Sequence, residues 1–242
     1  MRNAVRSEVL RALSGLSVLA VYLVALLMPA FVLVSDGSRF DFASIDSATA
    51  TTRLLEPLAW TAVSAAFVGA YGVTREFYYN SMGRTLTGVG FRRAFMGKLV
   101  AGALIAVVIC AGIFVLWTSG IWALLTLNGV EFVLAPHGWR IYGGALMGAV
   151  LGAVIGGSIG WLTRNYYATA SIILVLPMAV EFALLRTQPE IAKYSPGLVL
   201  AALGVPGFHG QLLEALPALG IGVAWAAGLA TIASTRGRRS SV

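Results

Sequence analysis

The chain has 242 residues, of which 58% are hydrophobic and only 11% charged, with a formal net charge of +7. Soluble domains carry about 25% charged residues, so the composition excludes an ordinary soluble protein. Repeated apolar runs of about 20 residues indicate transmembrane helices. The basic residues flank these runs, which favours membrane orientation over nucleic-acid binding.

The N-terminal residues 1–14 predict a short amphipathic helix at the membrane interface, because three apolar residues recur at a spacing of four: Val5, Val9 and Leu13. The alternative is a frayed basic terminus that only sets topology. A first span follows at Leu13–Val34, and the polar stretch Ser35–Arg53 predicts a loop outside the cell.

Five further apolar runs complete a predicted all-α membrane protein of six spans, folded as one domain over residues 1–242: Pro57–Val73, Leu99–Trp122, Ile141–Thr163, Tyr166–Leu185 and Ala215–Thr235. Residues 186–211, before the last span, are polar and then apolar over Gly197–Val205. That apolar part is too short to cross a bilayer, so the segment predicts a re-entrant hairpin on the outer side.

The fourth span carries a glycine every four residues: Gly144, Gly148, Gly152, Gly156 and Gly160. A row of small residues lets helix backbones approach closely in lipid, so this pattern predicts a tight helix contact. The contacting helix is either a neighbour in the same chain or a second protomer.

The segment Arg75–Lys98 is the most basic stretch between two spans, which places it on the cytoplasmic side. Six spans then put both termini on that side as well. The inner side holds twelve basic residues and the outer side five: Arg39, Arg53, Arg140, Arg186 and Lys193.

Within this segment we expect a short helix, a turn near Gly88–Gly90 and the start of the third span. Glu76 is the exception among the positive charges, and the sequence suggests capping or pairing with Arg75, Arg84 or Arg92. The apolar residues of the segment indicate an element facing a partner: Met82, Leu86 and Val89. The alternative is that the arginines only set topology.

No phosphate-binding loop or HExxH motif occurs, and the only imidazoles are His137 and His209. We therefore expect no metal, no cofactor and no catalytic residue in this chain. Work against a gradient would need a separate ATPase or ions bound within the membrane.

Three carboxylates suggest a polar collar at an outer gate: Glu56, Glu181 and Glu214. Alternatively, each is a solvated group at a helix end. Glu181 is the only acidic residue well within a span, and an ion-coupled secondary transporter would have to use it. The scarcity of such groups favours a separate motor.

The residues Glu76-Phe77, Ser81-Met82, Thr85-Leu86, Arg92-Arg93 and Lys98-Leu99 resemble the loop between the second and third spans of type-2 permeases of ATP-binding-cassette exporters. The six-span layout is similar too. Asn80-Ser81 departs from the Gly-Thr common in that family, and Gly90 stands where Pro is common.

The resemblance implies a dimeric permease in a bacterial inner membrane, coupled through residues 75–98 to a cytoplasmic ATPase that binds ATP and Mg²⁺. It implies export of drugs, antibiotics or lipids, and its candidate coupling residues are Glu76, Arg84, Arg92 and Arg93. A membrane scaffold or sensor subunit that transports nothing is the remaining alternative.

Overall fold

The computed structural model describes residues 5–7, 9–10, 27, 29–30, 45–207 and 210–239. These residues form helices and turns, and no strand occurs among them. The predicted first span lies almost wholly outside the described residues. Of the predicted interfacial helix 1–14, residues 5–7 and 9–10 are described, and they are helical.

Five segments within the described ranges are long and apolar enough to cross a membrane: Ser47–Tyr78, Phe91–Leu127, Pro136–Thr163, Tyr166–Thr187 and Ala215–Arg238. They correspond in order to the second through sixth predicted spans. The chain is therefore an all-helical protein with the features of a multi-pass membrane protein.

The helices, numbered in chain order, are α1 (Ser47–Leu55), α2 (Thr61–Tyr78), α3 (Met82–Val89), α4 (Phe91–Leu127), α5 (Pro136–Thr163), α6 (Tyr166–Val175), α7 (Phe182–Thr187), α8 (Pro189–Ala192), α9 (Pro196–Gly204) and α10 (Ala215–Arg239). A 3-10 turn at Glu56–Trp60 joins α1 to α2. A π-helical turn at Leu176–Glu181 joins α6 to α7.

The second span begins earlier than the sequence predicts. Asp46 caps α1 by accepting a hydrogen bond from the Thr49 backbone N–H at 3.0 Å. The Thr49 side chain and this N–H together hold the pKa of the Asp46 carboxyl below its ordinary value. The hydroxyls of Thr51 and Thr52 donate to backbone carbonyls one turn back, each at 2.8 Å. Satisfied in this way, a Thr-rich sequence can be helical and partly buried. The predicted loop at Ser35–Arg53 is therefore wrong over its last seven residues.

The fifth span is a helix interrupted at a proline. Pro177 lies in the π-helical turn Leu176–Glu181. Proline lacks the N–H that an α-helix needs at this point, and a wider turn is one way for a helix to accommodate it. The helix resumes at Phe182, whose ring stacks on Trp60 with 4.8 Å between ring centroids.

Helix α5 lies at the centre of the protein, between α2 and α9, because its glycine row removes side chains from those contacts. A Cβ at Gly144 would lie 2.0 Å from the carbonyl oxygen of Leu203 in α9. A Cβ at Gly156 would lie 1.8 Å from that of Ala66 in α2. The five glycines of the row thus lie at helix contacts within one chain.

The region 186–211 contains two short helices, α8 and α9. Helix α9 has nine residues, which gives it a length of about 13.5 Å, less than half of a bilayer's hydrocarbon core. All residues from Leu198 to Gly204 are buried among α5, α10 and the 3-10 turn. Protein therefore surrounds this short helix on most sides, and its depth in the membrane stays a prediction.

Aromatic rings join four helix ends at one end of the protein. The Trp161 ring lies 5.7 Å from the ring of Phe77 and 5.5 Å from that of Phe91, between centroids. Gly237 of α10 also meets Phe91, since a Cβ there would lie 2.4 Å from the ring. We call this the basic end, because it carries most of the described arginines: Arg75, Arg84, Arg92, Arg93, Arg164, Arg236 and Arg238.

Candidate functional site

The segment 75–98 is mostly helical and not an open loop. Helix α2 continues to Tyr78, a turn containing Asn80 follows, and α3 occupies Met82–Val89. Gly90, with a φ of +77°, ends α3 and begins α4 at once. This conformation suits glycine, which has no Cβ to clash. The predicted short helix and the turn at its end are confirmed.

Helix α3 is anchored by its apolar face. Met82 is buried and Leu86 is half-buried, and both pack with Phe95, Leu99 and Trp161 near the ends of α4 and α5. The interpretation that these apolar residues face a partner is therefore wrong for Met82 and Leu86. Val89 is exposed. The other exposed residues of α3 are small or polar: Gly83, Arg84, Thr87 and Gly88.

Glu76 forms a buried ion pair with Lys98. Its Oε1 atom lies 2.7 Å from the Lys98 Nζ atom, and the two side chains are 7% and 1% exposed. Lys98 also donates to the backbone carbonyl of Gly72 at 3.1 Å. The pair joins the last turns of α2 to the second turn of α4, on either side of α3. This partner is not among the three arginines that the sequence suggested.

The predicted coupling residues therefore divide into two groups. Arg84, Arg92 and Arg93 are exposed, whereas Glu76 is 6% exposed and lies inside the protein. A soluble protein docking at the basic end would touch the arginines and not the carboxylate. Any effect of Glu76 on docking would be exerted through the position of α2 and α4.

A cavity of about 660 Å³ lies between α2, α3 and α4 at the basic end. Arginines from all three helices line it: Arg75, Arg84 and Arg93. The ion pair of Glu76 and Lys98 forms part of its wall. Deeper in, its lining is apolar and includes Val68, Ala101, Ile105 and Ile109. We call this the basic cavity. It was not predicted from the sequence, because three helices must meet before it exists.

Exposed tyrosines surround this end of the helices. Tyr78 is 56% exposed, and its ring lies 6.3 Å from that of Tyr167, which is 66% exposed. Tyr79 is 64% exposed. Tyrosines are enriched where membrane proteins meet the interface between lipid and water. Tyr79 also lines the basic cavity.

The three carboxylates of the suggested outer gate lie in different environments. Glu56 is half-buried, Glu214 is exposed and Glu181 is 1% exposed. The Glu181 carboxylate accepts hydrogen bonds from the backbone N–H groups of Gly197 at 3.1 Å and Leu198 at 3.0 Å. Glu181 therefore binds the first turn of α9, where backbone donors have no partner within the helix. The alternative that Glu181 is a solvated group at a helix end is therefore wrong.

Glu181→Gln should lower the free energy of unfolding by about 1–3 kcal/mol, because the neutral amide offers one acceptor oxygen to two buried N–H donors. Gly197→Ala should act in the same direction, since a Cβ there would lie 2.2 Å from Glu181 Oε2. Thermal unfolding in detergent measures both effects.

Glu190→Gln is the matched control for that substitution, because Glu190 is exposed and pairs with Lys193 at the surface. Exposed pairs contribute about 1 kcal/mol or less. Equal losses for Glu181→Gln and Glu190→Gln would contradict the structural role of Glu181. Loss of transport by a stably folded Glu181→Gln protein would instead favour the ion-coupled alternative.

Across the described ranges, no group of three or more His, Cys, Asp or Glu side chains is arranged to hold a metal ion. His137 is described, at the start of α5, and His209 lies outside the described residues. No protein-family model matches the chain, and no curated protein matches it by sequence.

Proposed function

We propose that the chain is the transmembrane permease subunit of an ATP-binding-cassette exporter. A separate cytoplasmic ATPase, which binds ATP and Mg²⁺, supplies the energy, and hydrophobic or amphiphilic compounds leave the cell. The observation that supports this proposal best is α3. It is a short helix fixed between two long apolar helices by its buried face, with Arg84 on the opposite face.

The buried ion pair gives this helix a mechanical connection to the membrane. Because Glu76 and Lys98 hold α2 against α4, a force on α3 would move both helices together. In this proposal Arg84 and Arg92 contact the ATPase, and Glu76 positions the helices behind them. The resemblance of residues 75–99 to type-2 permeases motivates the assignment.

The proposed assembly contains two permeases and two ATPases in a bacterial inner membrane. Both termini and the basic end face the cytoplasm. Arg164, Arg236 and Arg238 lie at the same end as the basic segment, as the excess of basic residues on the inner side requires. Exposed apolar side chains on α4 and α10 would face lipid or the second protomer, among them Val108, Val115, Leu216 and Ile232.

The proposal is tested by purifying the full chain with cassette ATPases from the same genome and measuring ATP hydrolysis in vesicles. Arg84→Glu should reduce stimulation by the permease about tenfold or more, since reversing a charge at a charged interface costs several kcal/mol. Arg53→Glu is the control, because Arg53 is exposed in α1. It lies near the start of the segment Ser47–Tyr78, whereas the basic end lies at the other end of that segment.

Failure of any such ATPase to bind the chain would contradict the proposal and favour the scaffold or sensor alternative. Transport that continues without ATP and follows an ion gradient would contradict it in favour of a secondary transporter. Equal effects of Arg84→Glu and Arg53→Glu on ATP hydrolysis would show that α3 does not form the contact with the ATPase.

A further inference from the structure

The basic cavity has two chemically different halves. Its outer half is lined by the side chains of Arg75, Arg84 and Arg93. The hydroxyl groups of Ser81 and Thr85 lie beside them. Its inner half is lined by aliphatic side chains and glycines of α2 and α4, among them Val68, Ile105 and Ile109. A ligand that fits both halves must be polar at one end and apolar at the other.

The sign of the outer half is positive. Among its described lining residues, the cations are the three arginines and Lys98, and the carboxylate is that of Glu76. The charge of Lys98 is balanced by Glu76 at 2.7 Å. Arg84 and Arg93 therefore add positive charge to the outer half. Arginine guanidinium groups bind phosphate and carboxylate oxygens with two parallel hydrogen bonds, so the polar end of the ligand should be an anion.

The length of the cavity matches one leaflet of a bilayer. From Arg93 to Ile109 the α4 helix rises about 24 Å, and one leaflet with its headgroup region is about 20–22 Å thick. The exposed rings of Tyr78, Tyr79 and Tyr167 place the outer half near the headgroups. The inner half then lies beside acyl chains.

We propose that the basic cavity binds one anionic phospholipid from the surrounding bilayer. The phosphate lies among Arg75, Arg84 and Arg93, and one acyl chain follows α4 past Ile105 and Ile109. A volume of about 660 Å³ lies within the range of ordinary ligand pockets and holds a headgroup with part of a chain. This site would bind lipid whether or not an ATPase is present, so it goes beyond the proposed function.

The test measures lipid bound to the purified full chain by native mass spectrometry, after incubation with palmitoyl-oleoyl phosphatidylglycerol or phosphatidylcholine. We expect one tightly bound phosphatidylglycerol per chain. Arg93→Gln should weaken its binding about fivefold, the effect of one basic residue near an anionic lipid. Arg92→Gln should not, because Arg92 is also exposed but does not line the cavity. Arg84→Gln serves as a second variant if Arg93→Gln does not fold.

The apolar half is tested with a second pair of neighbours. Ile105→Trp should fill the cavity beside the proposed acyl chain and weaken phosphatidylglycerol binding. Leu104→Trp should leave it unchanged, because Leu104 is 50% exposed and lies outside the cavity lining. Addition of inorganic phosphate should not displace the lipid, since a free phosphate cannot use the apolar half.

Three results would overturn the inference. Equal binding of phosphatidylglycerol and phosphatidylcholine would exclude selection for an anion. Equal losses of phosphatidylglycerol binding in Arg92→Gln and Arg93→Gln would show that the lipid is attracted to the whole basic end and not to the cavity. Displacement of the lipid by inorganic phosphate would indicate a simple anion site. Because no ATPase is present in these measurements, none of the three bears on the proposed exporter function.

Discussion

Lys98→Met should lower the free energy of unfolding by about 3–5 kcal/mol, the cost of leaving one member of a buried ion pair without its partner. Methionine has a similar length but cannot donate to the Glu76 carboxylate, which is 7% exposed and 2.7 Å from the Lys98 Nζ atom. The substitution also removes the hydrogen bond to the Gly72 carbonyl. Denaturant unfolding in mixed micelles, followed by helical circular dichroism, measures the loss.

The double variant Glu76→Gln/Lys98→Met separates the pair from its surroundings. It should be more stable than Lys98→Met alone, because no charge is then left buried. Lys193→Met is the control, since Lys193 pairs with Glu190 at the surface and its loss should cost about 1 kcal/mol or less. A loss in the double variant equal to the sum of the losses in Lys98→Met alone and in Glu76→Gln alone would show that the two residues act independently.

Gly156→Ala should also destabilise the protein, by about 1–3 kcal/mol or more, the usual cost of overfilling a packed interior. Its Cβ would lie 1.8 Å from the backbone oxygen of Ala66. No side-chain rotation can relieve a contact with backbone, so α5 and α2 must separate. On the opposing helix, a Cβ at Gly69 would lie 1.9 Å from the backbone oxygen of Ala153. Thermal unfolding in detergent is the measurement.

The glycine row should respond in a graded manner. Alanine at Gly144 or Gly156 should be most harmful and alanine at Gly152 intermediate, because its Cβ would lie 2.5 Å from a carbonyl oxygen. At Gly148 and Gly160 the corresponding distance is 3.2 Å, so a small shift suffices. Gly143→Ala on the same helix is the control, since nothing lies within 4 Å of its Cβ position.

Alanine at Gly143 should be neutral or slightly stabilising, because alanine favours the helix over glycine by about 1 kcal/mol. A uniform response along the whole row, with Gly143 included, would attribute the effect to helix propensity and contradict close packing. If these variants lost dimer formation while the stability of the single chain stayed unchanged, the glycine row would instead contact a second protomer.

The local features of the segment 75–98 could be predicted from the sequence, because they depend on neighbouring residues. The turn at Gly90 and the short helix before it follow from local conformational preference. Which face of that helix is buried could not be predicted from the sequence. Met82 and Leu86 pack on Phe95 and Trp161, which are brought to α3 by folding, and an apolar residue looks the same beside a core as beside a partner.

The pairing of the carboxylates was also beyond local reasoning. Glu76 meets Lys98 across 22 positions, and Glu181 meets the backbone of Gly197 and Leu198. Lys98 carries one signal, since it directly precedes an unbroken apolar run and so has little access to water. A backbone N–H at the start of another helix leaves no mark in the composition around Glu181.

The sequence by itself predicted six apolar spans, and the described residues contain five of them in the predicted order. It also determined the spacing of the glycine row. The reasons are that the bilayer requires about 20 apolar residues per span and that a helix places every fourth residue on one face. Only the tertiary structure decided what those helices meet. It set α5 against α2 and α9, buried Glu76 with Lys98, and formed the basic cavity from three separate helices. Contacts between residues distant in sequence depend on packing, which periodicity along one chain does not encode.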